Sequence, residues 1–172
     1  MRGQRIIESA MSVLKFEEVG ISDTEKHIEG IALQLMECLN FEPRTAFAYA
    51  RARGHCEYCG CDLVFDRLHY ACAQIDHLLP RSKNAPAVYE IKQNFVLSCS
   101  LCNGLKREAP ILHDGEDAAE MLLKNRTKLV QRARALIGER LKIADRDWER
   151  AKAIFLAANS VDRDEPRCLN EH

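Results

Sequence analysis

Cys56-Glu57-Tyr58-Cys59 and Cys99-Ser100-Leu101-Cys102 are two C-x2-C pairs with 39 residues between them, and the reading of this stretch decides the fold. A C-x2-C turn brings two thiolates within reach of one ion, and two such turns complete a tetrahedron around zinc. Binding of a structural zinc is coupled to folding, with an apparent free energy of roughly 10–16 kcal/mol. The intervening stretch is longer than a zinc ribbon needs, so it must fold into something of its own. It holds short apolar runs, Leu63-Val64-Phe65, Gln74-Ile75-Asp76 and Phe95-Val96-Leu97, punctuated by Gly60, Pro80 and Pro86. That pattern predicts short strands and loops rather than long helices. Residues 102–107 read as the start of a helix, cut by Pro110.

Outside this centre the periodicity is helical. Ser22-Asp23-Thr24-Glu25 is a capping box, and Ile28, Ile31, Leu35, Met36 and Leu39 follow as one apolar stripe. Asn40 and Pro43 end that helix, and residues 44–52 form a second one stopped by Gly54. Beyond the centre, Asp114 is a candidate cap. Met121, Leu122, Leu129, Val130, Ala133, Leu136 and Ile137 form another stripe, with a break expected at Gly138. A further helix carries Leu141, Trp148, Ala151, Ile154 and Phe155. The division is an arm with helices over 1–53, a zinc-bearing core over 54–110, a helical region over 111–160 and a polar tail over 161–172.

Composition narrows the class. With 47% hydrophobic and 30% charged residues the chain is an ordinary globular one. No apolar run approaches the roughly 20 residues of a membrane span, and the first 20 residues lack the apolar segment of a secretory signal. Eight cysteines in a reducing compartment point to metal or chemistry rather than disulfides, so a cytoplasmic location is expected. Cys61, Cys72 and His55 belong to no matching pair and are set aside, and Cys38 and Cys168 read as a helix and a tail residue. The net charge of −1 conceals a gradient from an acidic front to a basic back half, which suits either a polyanion partner or a solvated helix surface.

Within and after the zinc pairs stand Asp76-His77-Leu78-Leu79-Pro80-Arg81-Ser82, Asn94-Phe95-Val96-Leu97 and Cys102-Asn103-Gly104-Leu105-Lys106. In order and nearly every spacing, residues 54–107 resemble the HNH endonuclease family. The resemblance implies an α+β protein: a ββα-metal core on a four-cysteine zinc, flanked by N- and C-terminal helices. It implies metal-dependent hydrolysis of DNA phosphodiester bonds, with His77 as general base and Asp76 and Asn103 as ligands of a catalytic Mg²⁺ or Mn²⁺. Hydrolysis needs a base for the water and a cation for the developing charge, and hard oxygen ligands suit those ions. Asn94 would brace the loop that carries the base. Lys106, Arg81, Arg51 and Arg53 would contact backbone phosphates. Lys83-Asn84-Ala85-Pro86-Ala87 replaces the Gly-Gly usual after the Pro-x-Ser element, and Ser98 replaces a leucine. Expected partners are DNA and a protein such as the ATPase or sensor subunit of a restriction or phage-defence complex, or a second copy of the chain. The rival readings are a zinc-knuckle module that binds nucleic acid or protein without cutting, and a structural subunit whose helices are the active surface.

Overall fold

The computed structural model describes residues 23–80 and 86–161. Ser22 of the capping box, the arm over 1–21, Arg81, and the tail from 162 with Cys168 lie outside them. The elements are α1 (Asp23–Leu39), α2 (Pro43–Ala52), α3 (Arg67–Ala71), β1 (Ala73–His77), α4 (Pro86–Tyr89), β2 (Phe95–Cys99), α5 (Ser100–Lys106), α6 (Ala118–Lys124) and α7 (Arg126–Val161). Fold class is α+β: a two-stranded antiparallel sheet with one helix behind it, flanked by helices on both sides in sequence.

α1 and α2 form a hairpin because their facing residues are complementary in size. Ala46, Ala48 and Ala50 of α2 are buried, and Ile28, Ile31, Leu35 and Met36 of α1 pack over that side of the hairpin, against Ala46 and Ala50. Leu39, counted in the same stripe, is instead exposed at the helix end. Pro43 does more than end α1. It occupies the first turn of α2, where a missing N–H costs nothing, and the Glu42 carboxylate accepts from the Thr45 N–H. Gly54, φ +75°, turns the chain out of α2, where a Cβ would meet Val64 Cγ2 at 3.0 Å.

β1 and β2 pair in the register Ala73↔Cys99 to His77↔Phe95. β2 is buried along its whole length and is apolar apart from Ser98. Leu63-Val64-Phe65 is not a strand. The Asp62 carboxylate accepts from the Val64 N–H and turns the chain, leaving only a single bridge, His55↔Asp62. α5 follows β2 directly and packs across both strands.

The C-terminal helices differ from expectation twice. Asp117, not Asp114, caps α6, accepting from the Glu120 N–H at 2.7 Å; Gly115 at φ +82° makes a turn that delays the helix. α7 then runs unbroken for 36 residues through Gly138. One glycine inside a helix costs only about 1 kcal/mol relative to alanine, too little to stop it. The core around the sheet is completed by Met121 and Leu122 of α6 and Leu129, Val130, Ala133 and Ile137 of α7. The hydrophobic packing of the zinc-bearing centre therefore crosses residue 110.

Glu57 locks these parts together. Its carboxylate accepts from Arg51 of α2 at 2.7 Å and Arg126 of α7 at 2.8 Å, and lies 3.3 Å from the Leu97 N–H of β2. Its own N–H donates to the Leu97 carbonyl at 2.8 Å. Arg51 also donates to the Phe95 carbonyl. Burial would raise the Glu57 pKa, but the two guanidinium groups outweigh it and hold the carboxyl below its ordinary value of 4.5. A depressed carboxyl stabilises the fold above its unfolded pKa, and that stability is lost as pH falls through the folded value. Glu57→Gln is expected to cost about 3 kcal/mol, since it leaves two part-buried cations facing each other. Denaturant unfolding between pH 6 and pH 3 checks both effects: the wild type loses stability below about pH 4.5, while the variant follows a flatter profile.

Candidate active site and metal centre

The Cys56–Cys59 turn is shaped by backbone bonds before any ion is considered. The Gly60 N–H donates to the Cys56 carbonyl at 2.8 Å, the Cys56 N–H donates to the Cys61 carbonyl at 2.9 Å, and Gly60 takes φ +78°. The second pair lies where β2 passes into α5. There Cys99 is the N-cap, its sulfur accepting from the Cys102 N–H at 3.4 Å.

Five thiols converge at this point. Cys56, Cys59, Cys61 and Cys99 offer sulfurs all within 4.8 Å of one another. Cys102, buried, places its thiol against those of Cys59 and Cys99. Cys61, which belongs to no matching pair, also lies at the cluster as a fifth thiol, because C-x2-C-x-C brings it there. The sulfurs of Cys59 and Cys99 are 3.9 Å apart, close to the about 3.8 Å that separates two ligands of a tetrahedral zinc with Zn–S bonds of about 2.3 Å. Soft thiolates at that spacing fit zinc. Burial raises the Cys56 and Cys102 thiols, and burial with the Cys59 thiol beside it raises Cys61. Burial alone would raise Cys59 as well, but donors from Cys61, Cys56 and Cys102 bring it down to about 7.

His77 closes β1. Its ring is half-buried and lies 4.9 Å from that of Phe95, its register partner, and the Arg44 guanidinium lies over the other ring of this pair, 5.3 Å from the Phe95 centroid. Asn94, 0% exposed, holds the chain that leaves His77. Its side-chain oxygen accepts from the Leu79 N–H at 2.8 Å, its amide nitrogen donates to the carbonyls of Leu79 and Val88, and its backbone carbonyl accepts from the Leu78 N–H. A residue so enclosed positions the loop and touches no substrate.

Asp76 and Asn103 both lie where β1 meets α5. Asn103 donates to Gln74 Oε1 at 2.7 Å, and two residues along the strand Asp76 meets Lys106, one turn along the helix. Lys106 is a correction. It is 1% exposed, with its ammonium 3.0 Å from Asp76 Oδ2 and donating to the His77 carbonyl at 2.7 Å, so it is not presented to a phosphate backbone. Tyr58, inside the first cysteine turn, donates to the same Asp76 oxygen at 2.6 Å; burial and that carboxylate raise its phenol well above the ordinary range. The hard oxygens of Asp76 and Asn103 are right in kind for Mg²⁺ or Mn²⁺. As the side chains stand, however, Lys106 occupies the position of a cation beside Asp76, and the pair is a buried ion pair rather than an open metal site. Arg51 is likewise committed to Glu57, leaving Arg53 exposed at the end of α2.

Residues 56–108 match the sequence model of the HNH endonuclease family. This segment is an HNH domain. No curated protein and no solved structure matches the chain. The HNH domain covers under a third of the chain; domains of this family are in general nucleases that act on nucleic acid, and here the four-cysteine cluster lies within the matched residues. Among the described residues no helix is long and apolar enough to cross a membrane.

Five thiols competing for four ligand positions give a direct test. The purified protein is expected to hold one zinc per chain by elemental analysis. Cys102→Ser, which empties a buried position on the α5 side, is expected to lose the zinc and much of the folded state, whereas Cys61→Ser, at a half-buried position outside the two C-x2-C pairs, retains both.

Proposed function

We propose that the HNH domain hydrolyses phosphodiester bonds in DNA, with His77 as general base. The observation that carries the reading is the family match over the same residues in which His77 ends β1 and Asn94 fixes the chain leaving it. An imidazole titrates near neutrality and can take the proton from an attacking water. Phe95 beneath the ring and the braced Leu78-Leu79 segment restrict its orientation. Zinc, at the cysteine cluster, would hold Cys56-Tyr58-Cys59 against Cys99, and so hold the Tyr58 hydroxyl against Asp76. Mg²⁺ or Mn²⁺ remains what the family resemblance implies for the reaction. Lys106 already neutralises Asp76, so such an ion would compete with its ammonium for the carboxylate.

The net charge of only −1 and the exposed distal half of α7 support a nuclease subunit carried by a larger assembly, such as a restriction or phage-defence complex with an ATPase or sensor. Its eight cysteines support the cytoplasm as its location.

The second reading, a binding module that does not cut, is favoured by one observation: the Asp76–Lys106 ion pair. Supercoiled plasmid separates the two. With Mg²⁺ or Mn²⁺ present the wild type is expected to nick or linearise it, and His77→Ala, with unchanged zinc content, is expected to lower the rate about 10²–10⁴-fold. Binding without cleavage by either protein would establish the module instead. Chelation of the divalent ion under conditions that spare the zinc is expected to abolish cleavage; cleavage that survives it would overturn the metal dependence.

A further inference from the structure

The last residue of α7 buried in the core is Ile137, yet the helix continues for 24 more residues. Over that extension Leu141, Ala144, Trp148, Ala151, Phe155 and Ala158 recur at 3-4 spacing, with Ile143, Ile154 and Leu156 exposed beside that row. Trp148 is 57% and Phe155 68% exposed, although each is large and apolar. This is a heptad seam with bulky residues at every a position and alanine at every d position. Such a seam asks for a partner helix and specifies which one.

We propose that the distal half of α7 pairs with the same segment of a second copy as an antiparallel two-stranded coil. In an antiparallel pair each a position faces a d position of the partner. A two-fold axis between residues 149 and 150 then sets Trp148 against Ala151, Phe155 against Ala144, and Leu141 against Ala158. Every large side chain meets a small one, and the layers interdigitate at near-constant thickness. A parallel pair would instead stack Trp148 on Trp148 and Phe155 on Phe155, with gaps at the alanine layers. Charge agrees with the antiparallel register: Asp145 and Lys152 both lie at e, and e faces e in this arrangement, so the two form an interchain pair twice over. The seam runs about 27 Å. This inference holds whether or not the domain cuts DNA.

Equilibrium sedimentation of the full-length protein tests it. The wild type is expected at twice 19.6 kDa, and a monomer at tens of micromolar overturns the proposal. Phe155→Glu is expected to give a monomer with unchanged zinc content; a dimer that survives this change associates elsewhere and overturns it too. Asp145→Lys and Lys152→Asp are each expected to weaken the dimer about tenfold or more. The double variant is expected to restore it, because the reversed pair meets its reversed partner. In a parallel coil the double variant would set the new ammonium at position 145 against Arg140 and the new carboxylate at position 152 against Asp147, like charge against like. Failure to restore the dimer therefore overturns the antiparallel register.

Discussion

Convergence of the two cysteine turns is the constraint on which the remaining structure depends. The sheet has only two strands, and a two-stranded ribbon is not stable by itself in water. Here one turn precedes the sheet and the other ends it. Joining them fixes the end of β2, the start of α5 and the Tyr58 and Glu57 side chains in one act. Glu57 and Tyr58 lie between two of the clustered cysteines, so their positions come from the cluster. Glu57 then ties in α2 and α7, and Tyr58 reaches Asp76.

Much of this is legible in the residues themselves. The C-x2-C spacings locate the cluster, and the Asp76-His77 and Phe95-Val96-Leu97 runs locate both strands. Alternation and helical periods report which side of an element is apolar, and that suffices for strands and helices. They do not report partners. Glu57 and Tyr58 look like variable residues of a turn, and nothing in their spacing announces two arginines from distant helices or a carboxylate on β1. Cys61 escapes for a different reason: its spacing matches no pair, although a sixth residue in the same tight turn has nowhere else to go. Lys106 misleads because a basic residue one turn past Asn103 looks solvent-facing until the burial of that helix face is known. Gly138 misleads because its local propensity is outweighed by the 36-residue helix around it.

The Asp76–Lys106 pair sets two demands against each other. A buried ammonium is tolerated only with partners, and Asp76 together with the His77 and Arg107 carbonyls supplies them. On the function proposed above, the same carboxylate would also be the hard ligand of a divalent ion. One side chain cannot fully satisfy both cations, so the strength of the ion pair sets how readily the site takes up a divalent one. Because Lys106 also binds the His77 carbonyl, any movement of its ammonium is transmitted to the backbone that bears the imidazole.

The continuity of α7 has a consequence in distance. Its root is held by Arg126 and the core residues up to Ile137, while Phe155 stands about 27 Å further along the axis. A flexible linker of the same 18 residues would have an r.m.s. span of about 23 Å, but with any separation from contact to full extension sampled. A helix gives one value. Whatever grips the tip therefore holds His77 at a set standoff, acting as a ruler rather than a tether. The distance from His77 to whatever holds the tip is then decided by helix length, and an insertion of one residue changes the geometry by rotation of about 100° as well as by advance.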